Sequence, residues 1–232
     1  MGVLLIYFII IFLSNTLGAV SGMGGGVIIK PVLDLIGLHS LSAIAFYSSA
    51  AVLTMSVSST YKQLRSGISM NLGHALAISA GSLFGGVLGD SLLTRLLTFF
   101  GSDSQVQIIQ NVLMIITLLL VLLYNQWGRT QFSLTGAPAY LAAGVCLGLL
   151  STFLGIGGGP INVAALILLF GMDMKPATVY SIITIFFSQI AKLATIAVTT
   201  GFQVYDLSIL WAIIPAALLG GYAGGLLSSK WS

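Results

Sequence analysis

Long apolar stretches, broken by glycines and short polar clusters, set the pattern of this chain. Crossing a hydrocarbon core of about 30 Å takes roughly 20 helical residues. Stretches of that order run over about 3–20, 41–61, 72–91, 106–124, 138–154, 175–198 and 208–228, which predicts seven transmembrane helices. Two shorter apolar pieces, about 27–37 and 160–171, each follow a glycine cluster. At about 17 Å of helix apiece they fall short of an ordinary span. They read as half-helices. The opening stretch has no Lys or Arg ahead of it, unlike the charged start of a secretory signal, and reads as the first span and not a cleaved leader.

The glycine clusters open a repeat. Gly22-Met23-Gly24-Gly25-Gly26 aligns without a gap on Gly155-Ile156-Gly157-Gly158-Gly159. An apolar segment bearing Gly18 or Gly148 precedes each cluster. A short apolar run ending near Gly37 or Gly171 follows, and then a longer helix dotted with Ser and Thr. Further on, Gly85-Gly86-Val87-Leu88-Gly89 has a partner in Gly220-Gly221-Tyr222-Ala223-Gly224. These correspondences keep their order, so residues 1–124 form a first repeat, 125–136 a connecting loop and 137–232 a second repeat. The second repeat stops where the first continues into one more helix: either that helix is lacking or the chain is cut short.

The placement of Lys and Arg bears on orientation. If the half-helices do not cross, Lys62, Arg65 and Arg129 face Arg95, Lys175 and Lys230, with no bias. If each half-helix completes a crossing, Lys62, Arg65, Arg129, Lys175 and Lys230 share one side and only Arg95 lies opposite. The positive-inside rule favours the second arrangement. Its odd number of crossings per repeat turns the two copies upside down. The expectation is an all-α, polytopic integral membrane protein of two tandem, inverted repeats with glycine-broken half-helices, a design that recurs among transporters.

Composition narrows the class further. Hydrophobic residues make up 57% of the 232 and charged residues only 6%, where a soluble domain has about 25% charged. Lipid is therefore the main solvent of this surface. Eight Lys/Arg and five Asp/Glu are thinly spread, without a basic stripe, so no nucleic-acid partner is expected. The single cysteine, Cys146, has no partner for a disulfide or a metal site and reads as a small buried apolar residue. No His/Asp/Glu cluster lies in the spans. No catalytic residue, no metal ligand and no cofactor are expected, and the chain does not read as an enzyme.

Candidate chemistry begins at the glycines. Consecutive glycines break a helix, and in lipid the freed backbone must line a cavity or be buried in protein. The helix that restarts has unpaired N–H groups and the positive end of its dipole, which together favour an anion. Gly24, Gly25, Gly26, Gly157, Gly158 and Gly159 are the candidate cradle, with Asn162 adding a side-chain amide and Pro160 suiting a first turn. The competing reading is close helix packing, which Gly85/Gly89 and Gly220/Gly224 fit better. No Gly-Lys-Ser/Thr follows either cluster, so a phosphate loop is excluded.

The helices that follow carry polar stripes. Ser181, Thr184, Ser188 and Lys192 fall on one helical face with Gln189 beside it, and Ser49, Ser56, Thr60 and Gln63 form a looser face in the first half. Such hydroxyls either meet a solute or bond their own backbone. Lys192, within an apolar helix, either serves the substrate or snorkels to the interface. Lys30 and Asp34, four apart, are placed to pair. Asp90, Asp103, Asp173 and Asp206 fall near helix ends, where a solvated carboxylate is the ordinary state. His39 and His74 lie at segment boundaries without partners at catalytic or metal spacing.

The paired glycine clusters, in Gly18 to Pro31 (GAVSGMGGGVIIKP) and Gly148 to Asn162 (GLLSTFLGIGGGPIN), resemble those of the sulfite exporter TauE/SafE family. Segments Ala43 to Ser49 and Ala177 to Ile183 agree as well, and the resemblance runs over essentially the whole chain. It implies a multi-pass carrier in the inner membrane, with a small anionic substrate such as sulfite, a sulfonate or a related organic acid, and no cofactor. A carrier or channel for another solute, and a membrane assembly protein in which the glycines only pack, are the alternatives. A homo-oligomer is left open.

Overall fold

The computed structural model describes residues 2–21, 24–65, 71–127 and 131–230. Gly22 and Met23 of the first glycine cluster and Arg129 of the charge count lie outside the described residues, as do the side chains of Lys62, Gln63, Arg65 and Lys230. The described residues form nine α-helices and no strand: α1 (Gly2–Ser21), α2 (Gly26–Ile36), α3 (Leu41–Arg65), α4 (Leu72–Phe100), α5 (Asp103–Trp127), α6 (Ala137–Leu154), α7 (Gly159–Phe170), α8 (Met174–Thr199) and α9 (Leu210–Lys230). Seven of them, all but α2 and α7, are long and apolar enough to cross a membrane. The protein is an all-α, multi-pass membrane protein.

Side-chain contacts fix which helix ends lie together. Tyr7 near the start of α1, His39 after α2 and Tyr47 in α3 form an aromatic cluster, with the Tyr7 hydroxyl 2.8 Å from His39 Nδ1. Tyr47 also donates to the carbonyl of Asp206, ahead of α9. Asp103, at the start of α5, accepts a 2.9 Å bond from the Leu41 N–H. At the other end, Tyr180 of α8 donates to the Asn71 carbonyl ahead of α4, and Tyr140 of α6 stacks on both His74 and Phe170. There too the N–H groups of Phe132 and Leu134 donate to Leu168 and Leu169 near the end of α7.

These contacts set the direction of every helix. α1 leaves the first end and α2 returns to it; α6 leaves the second end and α7 returns to that. Each short helix is the return arm of a re-entrant hairpin. α3, α5 and α9 run from the first end to the second, and α4 and α8 run the other way.

Glycines let the helices touch backbone to backbone. A Cβ on Gly81 or Gly85 of α4 would overlap the carbonyls of Leu141 or Val145 in α6, and one on Gly144 of α6 would overlap that of Ile78. Gly220 and Gly224 of α9 meet the carbonyls of Phe12 and Thr16 in α1 in the same way. Without a hydrophobic drive between helices in lipid, such close approach is how they associate.

Two sequence expectations need correction. Glycines and Asp90 suggest that α4 ends near residue 91, but it continues to Phe100, because packing on α6 offsets the poor helix propensity of its glycines. Asp90 therefore lies well inside a helix, 5% exposed, and not at a solvated end. Cys146 sits on the exposed outer side of α6 and not in the core, whose side Gly144 and Gly148 occupy.

Candidate functional site

The two helix breaks begin alike. The N–H of Gly24 donates to the carbonyl of Gly18 at 3.2 Å, and that of Gly157 to Ser151 at 3.3 Å. In each, the third residue of the glycine cluster bonds the residue six places earlier. This bond folds the chain against the helix it has just left, so that the next helix starts back the other way. Further on the breaks differ. Gly157, Gly158 and Gly159 all have positive φ (70°, 88° and 48°), whereas among the described residues of the first break only Gly24 does (81°). A side chain in the left-handed region costs about 1–2 kcal/mol per residue. The second cluster is glycine by backbone necessity.

The breaks abut one another. A Cβ on Gly26 would overlap the Ile156 carbonyl, and Val52 of α3 packs against both Gly26 and Gly157. The Ser48 hydroxyl donates 2.8 Å to the carbonyl of Gly155, and the Lys30 side chain lies against the same glycine. Helices α2 and α7 thus start from one central patch and run to opposite ends. Their N-cap residues, Gly25 and Gly158, supply no side-chain cap. The positive ends of two helix dipoles converge there.

Two asparagines complete the patch. Asn15 and Asn162 are 0% exposed, and among the described residues neither the nitrogen nor the oxygen of either carboxamide has a hydrogen-bond partner. Asn15 lies against Gly25, and Asn162 against Gly158. Gly25 and Gly158 are each the fourth residue of their cluster, so the two amides stand at corresponding places. One comes from the helix before its break and the other from the helix after. Leaving a buried amide unbonded costs about 1–3 kcal/mol. Sequence reasoning found Asn162 and missed Asn15. The signal was the polar run Ser14-Asn15-Thr16 inside an apolar helix, but the repeat aligns Asn15 with Gly148 and so gave no prompt.

A model of the family described as Sulfite exporter TauE/SafE matches residues 7–232. The chain belongs to the TauE/SafE family. No curated protein and no solved structure matched it. TauE/SafE proteins are membrane transporters.

The remaining polar residues of this TauE/SafE chain divide in two. Ser181 is buried with its hydroxyl unpartnered among the described residues, and the short α7–α8 connection sets it near the height of Asn162. Gln189 donates to Ser151 at 3.3 Å beside the second break, and Ser188, 3.5 Å from Ser151, donates to the Ile185 carbonyl of its own helix at 3.0 Å. Ser49 and Thr184 likewise bond their own helices, at Ala45 and Tyr180. Lys192 is 1% exposed and donates 3.1 Å to the Thr152 carbonyl. It does not snorkel. Lys30 and Asp34 form a buried ion pair at 2.5 Å. Among the described residues no group of three His, Cys, Asp or Glu side chains could hold a metal ion.

Proposed function

We propose that this TauE/SafE protein is a secondary carrier of a small anion, sulfite or a sulfonate, across the inner membrane. The anion binds where the two breaks meet, between Gly24–Gly26 and Gly157–Gly159. One observation carries this reading: two buried carboxamides, Asn15 and Asn162, without a partner among the described residues, each stand against the N-cap glycine of a half-helix. Sulfite and sulfonate oxygens only accept hydrogen bonds or coordinate cations. They fit donors supplied by amide nitrogens, helix N-termini and the buried hydroxyl of Ser181. Ser188, Gln189 and Lys192 border the second break and hold its shape, and Ser49 stands one residue from the Ser48 contact.

Residues 1–124 and 137–232 are the two units of this carrier, related by inversion. The matched Gly24–Gly18 and Gly157–Ser151 bonds support the correspondence, and the opposite entry of the α1/α2 and α6/α7 hairpins supports the inversion. Rocking one unit against the other exposes the shared centre to each side in turn. Lys62, Arg65, Lys175 and Lys230 lie toward the second end and Arg95 toward the first, which makes the second end cytoplasmic.

Flux into proteoliposomes tests the reading. Purified protein is expected to admit labelled sulfite or taurine in a saturable manner, and to accelerate labelled uptake when unlabelled anion is loaded inside. Uptake no faster than in empty vesicles would reject a carrier and favour the assembly role. Uptake without acceleration by internal anion would favour a channel.

A further inference from the structure

Among the described residues, four charged side chains lie buried within the bundle: Lys30 and Asp34 on α2, Asp90 on α4 and Lys192 on α8. Glycines bring the last two together. Gly86 packs on the main chain of Ser188 and the methyl of Ala191, and Gly89 packs on Thr152 and Leu149. α4 and α8 run in the same direction, so Asp90, one turn past Gly86, reaches the height of Lys192, one turn past Ser188. The two interact electrostatically without closing to an ion pair. The Lys192 ammonium is held by the Thr152 carbonyl, and Lys30 lies against Gly155, three residues on. Lys30 and Lys192 also interact electrostatically. Lys30 and Lys192 thus flank the entry to the second break, the first paired with Asp34 and the second in electrostatic contact with Asp90.

The two carboxylates differ. Asp34 is tied to Lys30. Among the described residues no donor bonds the Asp90 carboxylate. It interacts electrostatically with Lys192 and with Tyr205, in the connection at the first end. α6 presents no charged group there, only the carbonyl and hydroxyl of Thr152. Asp90 is thus the buried acid free to change state, with a neighbour leading toward the first end.

Two ammonium groups and two carboxylates sum to zero while the carrier is empty. A bound monoanion leaves one net negative charge. Helix dipoles do not alter that sum, since each positive end has its own negative end. A net charge sealed from water on both sides is strongly disfavoured, and one proton restores neutrality. We propose that Asp90 binds a proton that travels with the anion, with Lys192 positioned to make that binding depend on whether the anion is present. This inference rests on the carrier reading above. One O–H bond forms on the Asp90 carboxylate with a proton given up by hydronium at the loading side, and it breaks again at the other side, where water takes the proton.

The test compares wild type with Asp90→Asn, Asp90→Glu and the double variant Asp90→Asn/Lys192→Gln in proteoliposomes. The probes are labelled sulfite and labelled methanesulfonate; sulfite itself titrates near neutrality, whereas methanesulfonate keeps its charge. Wild type is expected to accumulate anion under an imposed pH gradient and to move protons with it, read by a dye in the lumen. In Asp90→Asn, gradient-driven accumulation should fall by roughly tenfold or more, while anion exchange persists and no longer varies with pH. Asp90→Glu should recover part of the accumulation. Accumulation at the wild-type level in Asp90→Asn overturns the proposal, and so does wild-type anion flux without proton movement. The double variant removes both charges, so misfolding caused by an unmatched Lys192 is separated from loss of coupling. If neither anion moves through wild type, the carrier reading fails, and infrared spectroscopy then judges Asp90. A carboxylic-acid C=O band that grows on acidification in wild type and is missing in Asp90→Asn supports titration; identical spectra overturn it.

Discussion

The ammonium of Lys192 donates to the carbonyl of Thr152 across 3.1 Å, in the last turn of α6 and out of reach of solvent. A cation at a helix C-terminus meets the negative end of the dipole, and Asp90 on α4 balances it further. Lys192 therefore ties α8 to the end of α6 where the second break begins. Removing it leaves Asp90 buried without its counter-charge. Lys192→Met should lower stability, though by less than the about 3–5 kcal/mol lost when one partner of a closed buried pair is deleted, because Asp90 can neutralise itself by taking up a proton. Lys192→Met/Asp90→Asn should recover most of that. Thermal unfolding in detergent reads both. If Lys192→Met unfolds at the wild-type temperature and only weakens substrate binding, the ammonium faces the substrate instead.

Glycines of two kinds should fail in different ways. Gly158 has φ 88° and touches Asn162, so Gly158→Leu is both strained and obstructive at the central patch. It should insert in the membrane and carry no anion. Gly85 meets the Val145 carbonyl across the α4–α6 contact. Even Gly85→Ala must push two backbones apart, an overpacking cost of about 1–3 kcal/mol. It should lower the unfolding temperature, while flux measured well below that temperature remains. Normal flux through Gly158→Leu would remove the breaks from the binding site.

The direction of each helix is open to labelling. Ser208 is exposed beside Asp206 at the first end, and Ser133 is exposed in the α5–α6 connection at the second. In a Cys146→Ala background, cysteine at position 208 should react with an impermeant maleimide added outside cells. Cysteine at position 133 should react only after the membrane is opened. Both reacting from one side would contradict an inverted pair of hairpins.

Helix number and the two broken hairpins were legible because lipid demands long apolar runs and glycine clusters interrupt them unmistakably. Most helix limits fall within a few residues of the apolar stretches. Asp90 was not legible. Beside Gly85, Gly86 and Gly89 it reads as a helix end, and only the α6 surface facing those glycines shows why the helix persists. Ser49 shows the reverse: its place on a polar face suggests a solute contact, yet its hydroxyl bonds the Ala45 carbonyl at 2.7 Å. A periodic face says which way a hydroxyl points, not which acceptor it takes. Asn15 escaped because the repeat places a glycine at its counterpart, and what matches is the position of the amide in space.

That spatial match leads to an outcome with opposite signs for stability and function. The amides of Asn15 and Asn162 are sealed from water and bonded to no group among the described residues. Leucine has the same branching as asparagine and no polar atom to desolvate, and its bulkier methyls take back part of that gain. Asn15→Leu and Asn162→Leu should therefore each stabilise the empty protein, by up to about 1–3 kcal/mol. Both should lose anion flux, because donors at the two half-helix starts are gone. A residue that merely packs would show the reverse, since replacing a well-bonded core amide destabilises. Thermal unfolding without substrate and flux in proteoliposomes separate the cases. Either variant that unfolds earlier than wild type and still carries anion would show that its amide is structural, and would leave the half-helix N–H groups as the anion's only partners at that break.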